Sequence, residues 1–145
     1  RSVDGLTGLA EFAKQHRLNI IVENHGGFSS NAMLLAKVMK KTNLDNCGTL
    51  PDFGNFCIEG GYGTCSKWYD MYKGVAELMP YAKSVSAKTY NFDSDGNETK
   101  IDYKKMMKIV KDNSYKGFIG VEYEGHGLSE KDGILATKKL IKRFI

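Results

Sequence analysis

Proline is scarce in this chain, with 2 in 145 residues, there is a single tryptophan, and the excess of basic over acidic residues is only +4. Scarce proline, with no low-complexity tract, excludes a disordered or collagen-like polymer. No apolar run approaches the roughly 18 residues needed to cross a bilayer, and no basic-then-apolar leader opens the chain. A membrane partner is therefore not expected. The first residue is Arg1 rather than Met, which leaves a preceding segment open. The small charge excess and a pI of 8.9 fall short of a nucleic-acid footprint. The lysines scatter over helical faces (Lys37, Lys40, Lys41; Lys104, Lys105, Lys108, Lys111; Lys138, Lys139, Lys142), as solvated surface does. Cys47, Cys57 and Cys65 are odd in number and lack C-x-x-C spacing, so they read as free thiols. Free thiols favour a reducing, cytoplasmic compartment, an exported form staying open because the true N-terminus is not defined.

What is present is average globular usage, 41% hydrophobic and 26% charged, read as one folded unit over residues 1–145. Apolar residues at helical spacing predict helices through Leu6, Leu9, Ala10, Ala13; Ala32, Leu35, Ala36, Met39; Trp68, Met71, Tyr72, Val75; and Tyr103, Met106, Met107, Val110. A fifth carries Thr137, Leu140, Ile141 and Phe144 on one side. Start signals are Ser29 and Ser30, Ser66, Asp102 and Ser129. Between the helices, strands are expected at about 19–23, 47–51, 84–88 and 118–122, continuous in polarity as strands covered on both faces are. Alternating helices and strands predict an α/β fold with one parallel sheet in sequence order.

Every predicted strand ends in an ionisable residue: Glu23, Asp52, Lys88 and Glu122. Parallel strands place these ends on one rim, where α/β folds bind ligands. Three carboxylates converging there repel one another unless a cation sits between them, and a divalent metal is the natural choice. Strand periodicity turns Lys88 and residue 86 the same way, and puts His25 on the Glu23 face. His16 on the first helix reads as solvent-facing, and His126 lies in the loop after the last strand. Tyr62 and Trp68, at the glycine-rich 60–63 segment, are aromatic surfaces suited to stacking on a sugar or to packing. Asn91, Asp93, Asp95, Gly96 and Asp102 echo a calcium loop, but a strand rather than a helix precedes them, and a polar turn is the better reading.

Glu23-Asn24-His25-Gly26-Gly27, Leu50-Pro51-Asp52-Phe53-Gly54-Asn55-Phe56, Ser86-Ala87-Lys88 and Gly120-Val121-Glu122-Tyr123-Glu124-Gly125 together resemble the xylose isomerase-like TIM barrels of the sugar phosphate isomerase/epimerase superfamily. That resemblance implies a TIM-barrel fold. A full barrel needs eight βα units and about 250 residues, whereas this chain supplies four units preceded by one helix, as its C-terminal half would. The open edges then call for the missing N-terminal half-barrel or a second copy. The family's metal set, Glu, Asp, His and Glu, maps onto Glu23, Asp52, position 86 and Glu122, and it departs at Ser86. It also departs at Asn55, where many relatives carry a sugar-binding His.

The implied activity is a metal-dependent isomerase or epimerase acting on a sugar or sugar derivative. Glu23 and Glu122 move a proton next to a carbonyl, Lys88 supports the reaction, and His25, Asn55 and Glu124 bind substrate. The expected cofactor is Mn, Mg, Zn or Co, held by Glu23, Asp52 and Glu122. Two alternatives stand beside it: a non-catalytic sugar-binding barrel, and an abasic-site endonuclease-like hydrolase, which three histidines disfavour.

Overall fold

Helix α1 (Ser2–Gln15) starts without a side-chain cap, whereas each later helix begins where a short polar side chain accepts an otherwise unpartnered N–H. In the computed structural model, which describes residues 1–60 and 63–145, Asn31 caps α2 (Ala32–Thr42) and Asp70 caps α3 (Met71–Leu78). Asp102 caps α4 (Tyr103–Asp112) and Ser129 caps α5 (Glu130–Ile141), as the sequence indicates. The start signals of α2 and α3 are corrected. Ser29 and Ser30 belong to a 3₁₀ turn, where their hydroxyls accept from the His25 and Gly26 N–H groups. Ser66 and Trp68 precede α3 rather than opening it. On α1, Ala10 and Ala13 are buried but Leu9 is half-exposed, and Phe144 lies just beyond α5 while still packing on the core.

The expected strands form as β1 (Ile20–Glu23), β2 (Cys47–Leu50), β5 (Val85–Thr89) and β6 (Ile119–Tyr123). Between them lies a hairpin that periodicity does not reveal, β3 (Cys57–Glu59) paired antiparallel with β4 (Lys67–Trp68). β1 and β2 run parallel in the register Ile20↔Cys47 to Glu23↔Leu50, and β5 and β6 in the register Val85↔Ile119 to Thr89↔Tyr123. Parallel bridges Thr49↔Ala82 and Asp52↔Ser86 join the two pairs. The resulting order, β1-β2-β5-β6, is the predicted one, but the β2–β5 seam is interrupted. Pro51 has no N–H to give, so the seam rests on its carbonyl accepting from Ser86 N at 2.9 Å, on Lys83 N donating to Thr49 O at 3.0 Å and on Phe53 N donating to Ser86 O at 3.1 Å. The inner strand β5 is buried throughout, whereas the outer strands β1 and β6 are only half-buried. The expectation that all strands are covered on both faces therefore holds for the inner strands alone.

Helices α2 to α5 send Leu35, Met39, Val75, Leu78, Met106, Met107, Val110 and Leu140 into one core with Val85 and Ala87 of β5. Phe53 and Phe56, in the loop after β2, are almost completely buried. Each such side chain contributes about 1.5–3 kcal/mol through the area it removes from water. Among the described residues no helix is long and apolar enough to cross a membrane.

Candidate functional site

The loop after β2 is held from both sides before any charge enters the account. Phe53 meets the Tyr103 ring edge-on at 5.8 Å and Phe56 stacks with Tyr69 at 6.4 Å. Asn24, fully buried one residue past β1, donates from Nδ2 to the carbonyls of Asp52 and Asn55, each at 3.1 Å. Its Oδ1 accepts from Asp52 N at 2.8 Å. Ser30 adds a 2.6 Å bond to the Asn55 carbonyl. Gly54 is required by close approach, because a Cβ there would strike the Tyr90 hydroxyl and crowd Lys88.

On this frame Asp52, with no exposure, accepts at Oδ1 from the N–H groups of Gly54 at 2.9 Å and Asn55 at 2.8 Å. Its Oδ2 lies 2.8 Å from Ser86 Oγ, and Glu122 Oε2 lies 2.8 Å from the same hydroxyl. A serine hydroxyl carries one hydrogen, so it donates to one carboxylate while the other contact calls for a proton on a carboxyl oxygen. Burial pushes Asp52 up to about 6, against the pull of Lys88, Gly54 N–H and Ser86. Burial alone would raise Glu122 too, but the Ser86 hydroxyl and Lys88 hold it below the usual glutamate range. Of the pair, Asp52 therefore takes up a proton first as pH falls, and Glu122 stays ionised longer.

Lys88 is buried and fully engaged. Its Nζ stands 2.9 Å from Glu124 Oε1, 3.1 Å from Glu122 Oε1, 3.2 Å from Asn55 Oδ1 and 3.9 Å from Asp52 Oδ2. Burial would lower its pKa, but Asp52, Glu124 and Glu122 outweigh that and raise it. Lys88 is therefore a fixed cation and hydrogen-bond donor, not a base. Asn55 continues the chain of contacts, donating from Nδ2 to Glu23 Oε1 at 3.3 Å.

One oxygen from each of Glu23, Asp52 and Glu122 lies within 4.8 Å of the others. Lys88 faces the carboxyl groups of Asp52, Glu122 and Glu124, and Glu23 joins through Asn55, so the acidic groups outnumber the one ammonium beside them. Clustered oxygen donors with a charge deficit fit a hard divalent cation. Ser86 cannot act as the imidazole ligand it replaces, but its hydroxyl bridges two of the carboxylates and holds them together. His25 does not join the cluster's hydrogen bonds; it lines the adjoining groove with Asn55, Glu124 and Trp68. His16 and His126 are exposed, and Tyr62 lies outside the described residues.

Three groups escaped sequence reasoning. Asn24 sits in the Glu23-Asn24-His25-Gly26-Gly27 segment, but a period of two turns it away from the rim, and only tertiary contact reveals it as the latch on the next loop. Glu98, nearly buried, accepts the N–H groups of Tyr90, Asn91, Lys100 and Ile101, tying down the loop after β5. Cys57 and Cys65 are joined in a disulfide, which corrects the free-thiol reading and removes its argument for a reducing compartment; Cys47 alone is free. The supposed calcium loop is a polar turn, with Asp93 accepting from the N–H groups of Asp95 and Asn97.

Comparison with known proteins bears on the fold and the family. Two C-glycoside deglycosidase alpha subunits of Arthrobacter globiformis are 35% identical over 75 residues and 30% identical over 80, spans of 48% and 52% of this chain and 21% and 20% of those proteins. Among solved structures, D-psicose 3-epimerase of Clostridium cellulolyticum H10, with D-tagatose, superposes with a TM-score of 0.64 at 15% identity, covering 92% of this chain and 45% of that one. A xylose isomerase domain protein of Planctomyces limnophilus gives 0.61 at 15% identity, covering 97% and 49%. The chain thus spans about half the length of these structures, and its parallel strands form a partial barrel. With residues 1–144 matching the family description, the chain belongs to the xylose isomerase-like TIM barrel family.

Proposed function

We propose that this chain carries the acid–base centre of a metal-dependent isomerase or epimerase of a sugar or sugar derivative. The observation that carries the reading is the convergence of Glu23, Asp52 and Glu122 on one point of the carboxyl rim. Glu23, Asp52 and Glu122 are the residues that would hold a divalent cation there, and such an ion would compensate their charge and polarise sugar oxygens. Glu122, kept ionised by Ser86 and Lys88, accepts the carbon-bound proton next to the carbonyl, and Glu23, carrying a proton taken from water, delivers it from the opposite face, Glu122 then releasing its proton to water. Lys88, its donors taken by Glu124, Glu122 and Asn55, supports the reaction through its fixed positive charge beside the site where negative charge develops. His25, Asn55 and Glu124 orient the hydroxyls, while Asp52 stays in place as a ligand. A further set of βα units, from a longer chain or a second copy, closes the barrel over this rim.

The identity to C-glycoside deglycosidase alpha subunits favours a second reading, in which the same groups work on a C-glycoside. Solvent exchange separates the readings. Incubating the full protein with Mn²⁺ and a panel of ketoses and aldoses in D₂O is expected to place deuterium next to the carbonyl, followed by NMR. Absence of exchange across the panel, with release of the substituent from a C-glycoside, transfers the assignment to the second reading.

A further inference from the structure

The proposed proton transfer makes no use of Glu98, a carboxylate that is only 8% exposed. Its Oε1 accepts from Tyr90 N and Asn91 N, each at 3.2 Å, and its Oε2 accepts from Lys100 N and Ile101 N. One side chain thereby ties together the two ends of the loop that runs from β5 to α4. Bonds from N–H groups to a carboxylate are the strong, charge-assisted kind, and an amide in the same place offers one acceptor oxygen instead of two.

What those ends carry faces the groove beside the carboxylates. Tyr90, Lys100 and Ile101 line that groove, of about 680 Å³. Glu98 instead lines a separate cavity of about 450 Å³, and Lys100 and Ile101 border both spaces. Ile101 fixes one end of this segment in the core, but Lys100 is exposed. Packing alone does not set where a segment with open space on both sides stands, and the Glu98 bonds do.

Tyr90 is where the other rim loops meet this one. Its hydroxyl lies against Gly54 and its carbonyl against Gly125, each so close that a Cβ on the glycine would strike it. Gly54 adjoins Asn55, and Gly125 follows Glu124. The Lys100 ammonium stands 4.4 Å from the centre of the Tyr90 ring, a cation–π contact that joins the two groove-lining side chains. A shift of Tyr90 therefore presses on the loops that carry Asn55 and Glu124, groups assigned above to the sugar hydroxyls.

We infer that Glu98 is a positioning residue for substrate: it fixes the wall made by Tyr90 and Lys100, and through that wall Asn55 and Glu124, in the arrangement the sugar needs. The inference rests on the sugar-site reading. Groups fixed before binding cost less to order, so the effect falls on affinity and not on proton transfer.

The test compares the full wild-type protein with Glu98→Gln in Mn²⁺, using D-fructose, D-tagatose and D-xylose as probes. Calorimetry gives Kd, deuterium incorporation from D₂O gives KM and kcat, and NMR follows amide exchange. In Glu98→Gln the amide hydrogens of Tyr90, Asn91, Lys100 and Ile101 are expected to exchange about tenfold faster or more, as local opening does. Kd and KM rise roughly three- to tenfold, the scale of one hydrogen bond, while kcat stays within about twofold and Mn²⁺ affinity is unchanged. Glu98→Asp, which keeps both acceptor oxygens, falls between the two and carries the test where the glutamine variant does not fold. Asp93→Asn loosens the turn elsewhere in the same loop and leaves KM unchanged. Unchanged amide exchange, unchanged Kd and KM, a fall in kcat or Mn²⁺ affinity as large as the rise in KM, or the same rise in Asp93→Asn overturns the inference. Sugar binding that Glu98→Gln weakens, without any deuterium incorporation, upholds it and refutes the isomerase reading; incorporation with KM unchanged in Glu98→Gln does the reverse. A wild type that binds none of the three sugars overturns both.

Discussion

The carboxylate rim and the β3–β4 hairpin lie beside one groove, which Asn55 and Glu124 line together with Trp68, but they are held by different means. The rim is fixed by strand register and buried polar contacts: β5 and β6 set Lys88 opposite Glu122, and Asn24 fastens the loop that carries Asp52. The hairpin has two short strands with an irregular register, an exposed ion pair and one covalent tie. Groups that must keep a charge balance are placed at the ends of the parallel strands and in the loop fastened after β2, whereas the hairpin hangs outside those strands on its own covalent tie. Damage to the rim is therefore expected to reach the whole fold, and damage to the hairpin to stay local.

The largest effect is expected from Lys88→Met. Removing the one cation from a buried cluster leaves its carboxylates unpaired, a loss of about 3–5 kcal/mol. Urea unfolding in chelator measures it. Added Mn²⁺ is expected to restore part of the loss, and unchanged stability in chelator would show that the cluster does not depend on the ammonium.

Asn24→Ala comes next. It strands the Asp52 N–H and releases two carbonyls, at a cost of about 2–4 kcal/mol by the usual penalty for buried unpaired groups. Metal affinity should fall with stability, because the loop it fastens carries Asp52. A stability loss with intact metal binding would separate the latch from the site.

The hairpin is expected to behave differently. Replacing Cys57 and Cys65 by serine reopens a short loop, with a sequence separation of 8, and costs about 2–3 kcal/mol by loop-closure entropy. Mn²⁺ affinity, read by calorimetry, should not change. A parallel fall in metal affinity would break the distinction between rim and hairpin.

The smallest effect is a pH dependence with an unusual sign. Asp52, raised to about 6 from 3.8, binds its proton more tightly folded than unfolded. In chelator its contribution grows as pH falls from about 7 towards 4, by on the order of 1–3 kcal/mol. Glu122, held low, acts in the opposite sense and loses its contribution only at more acidic pH. Asp52→Asn should flatten the rise above pH 4, and a wild-type protein that loses stability steadily from pH 7 downward would contradict the assignment.

Much of the rim was legible in the sequence because a parallel strand delivers its last residue to a fixed place. Glu23, Asp52, Lys88 and Glu122 needed only strand ends to be found, and errors of one residue in β5 and β6 did not move them off the rim. The hairpin was not legible. β3 and β4 are too short to show a period, Trp68 fell by chance at helical spacing from Met71 and Val75, and a sequence separation of 8 between cysteines carries no pairing signal. Asn24 was hidden for a different reason: its importance lies in contacts with residues 28 and 31 positions away, which no local pattern records.

The central claim is that Glu23, Asp52 and Glu122 share one cation. Calorimetric titration of the full protein with Mn²⁺, beside Glu23→Gln, Asp52→Asn and Glu122→Gln, tests it most directly. One ion per chain is expected, with affinity reduced on the order of tenfold or more in each variant, as the loss of a charged ligand from a shared site requires. Absence of binding in the wild type, or affinity unchanged in all three variants, would contradict the account.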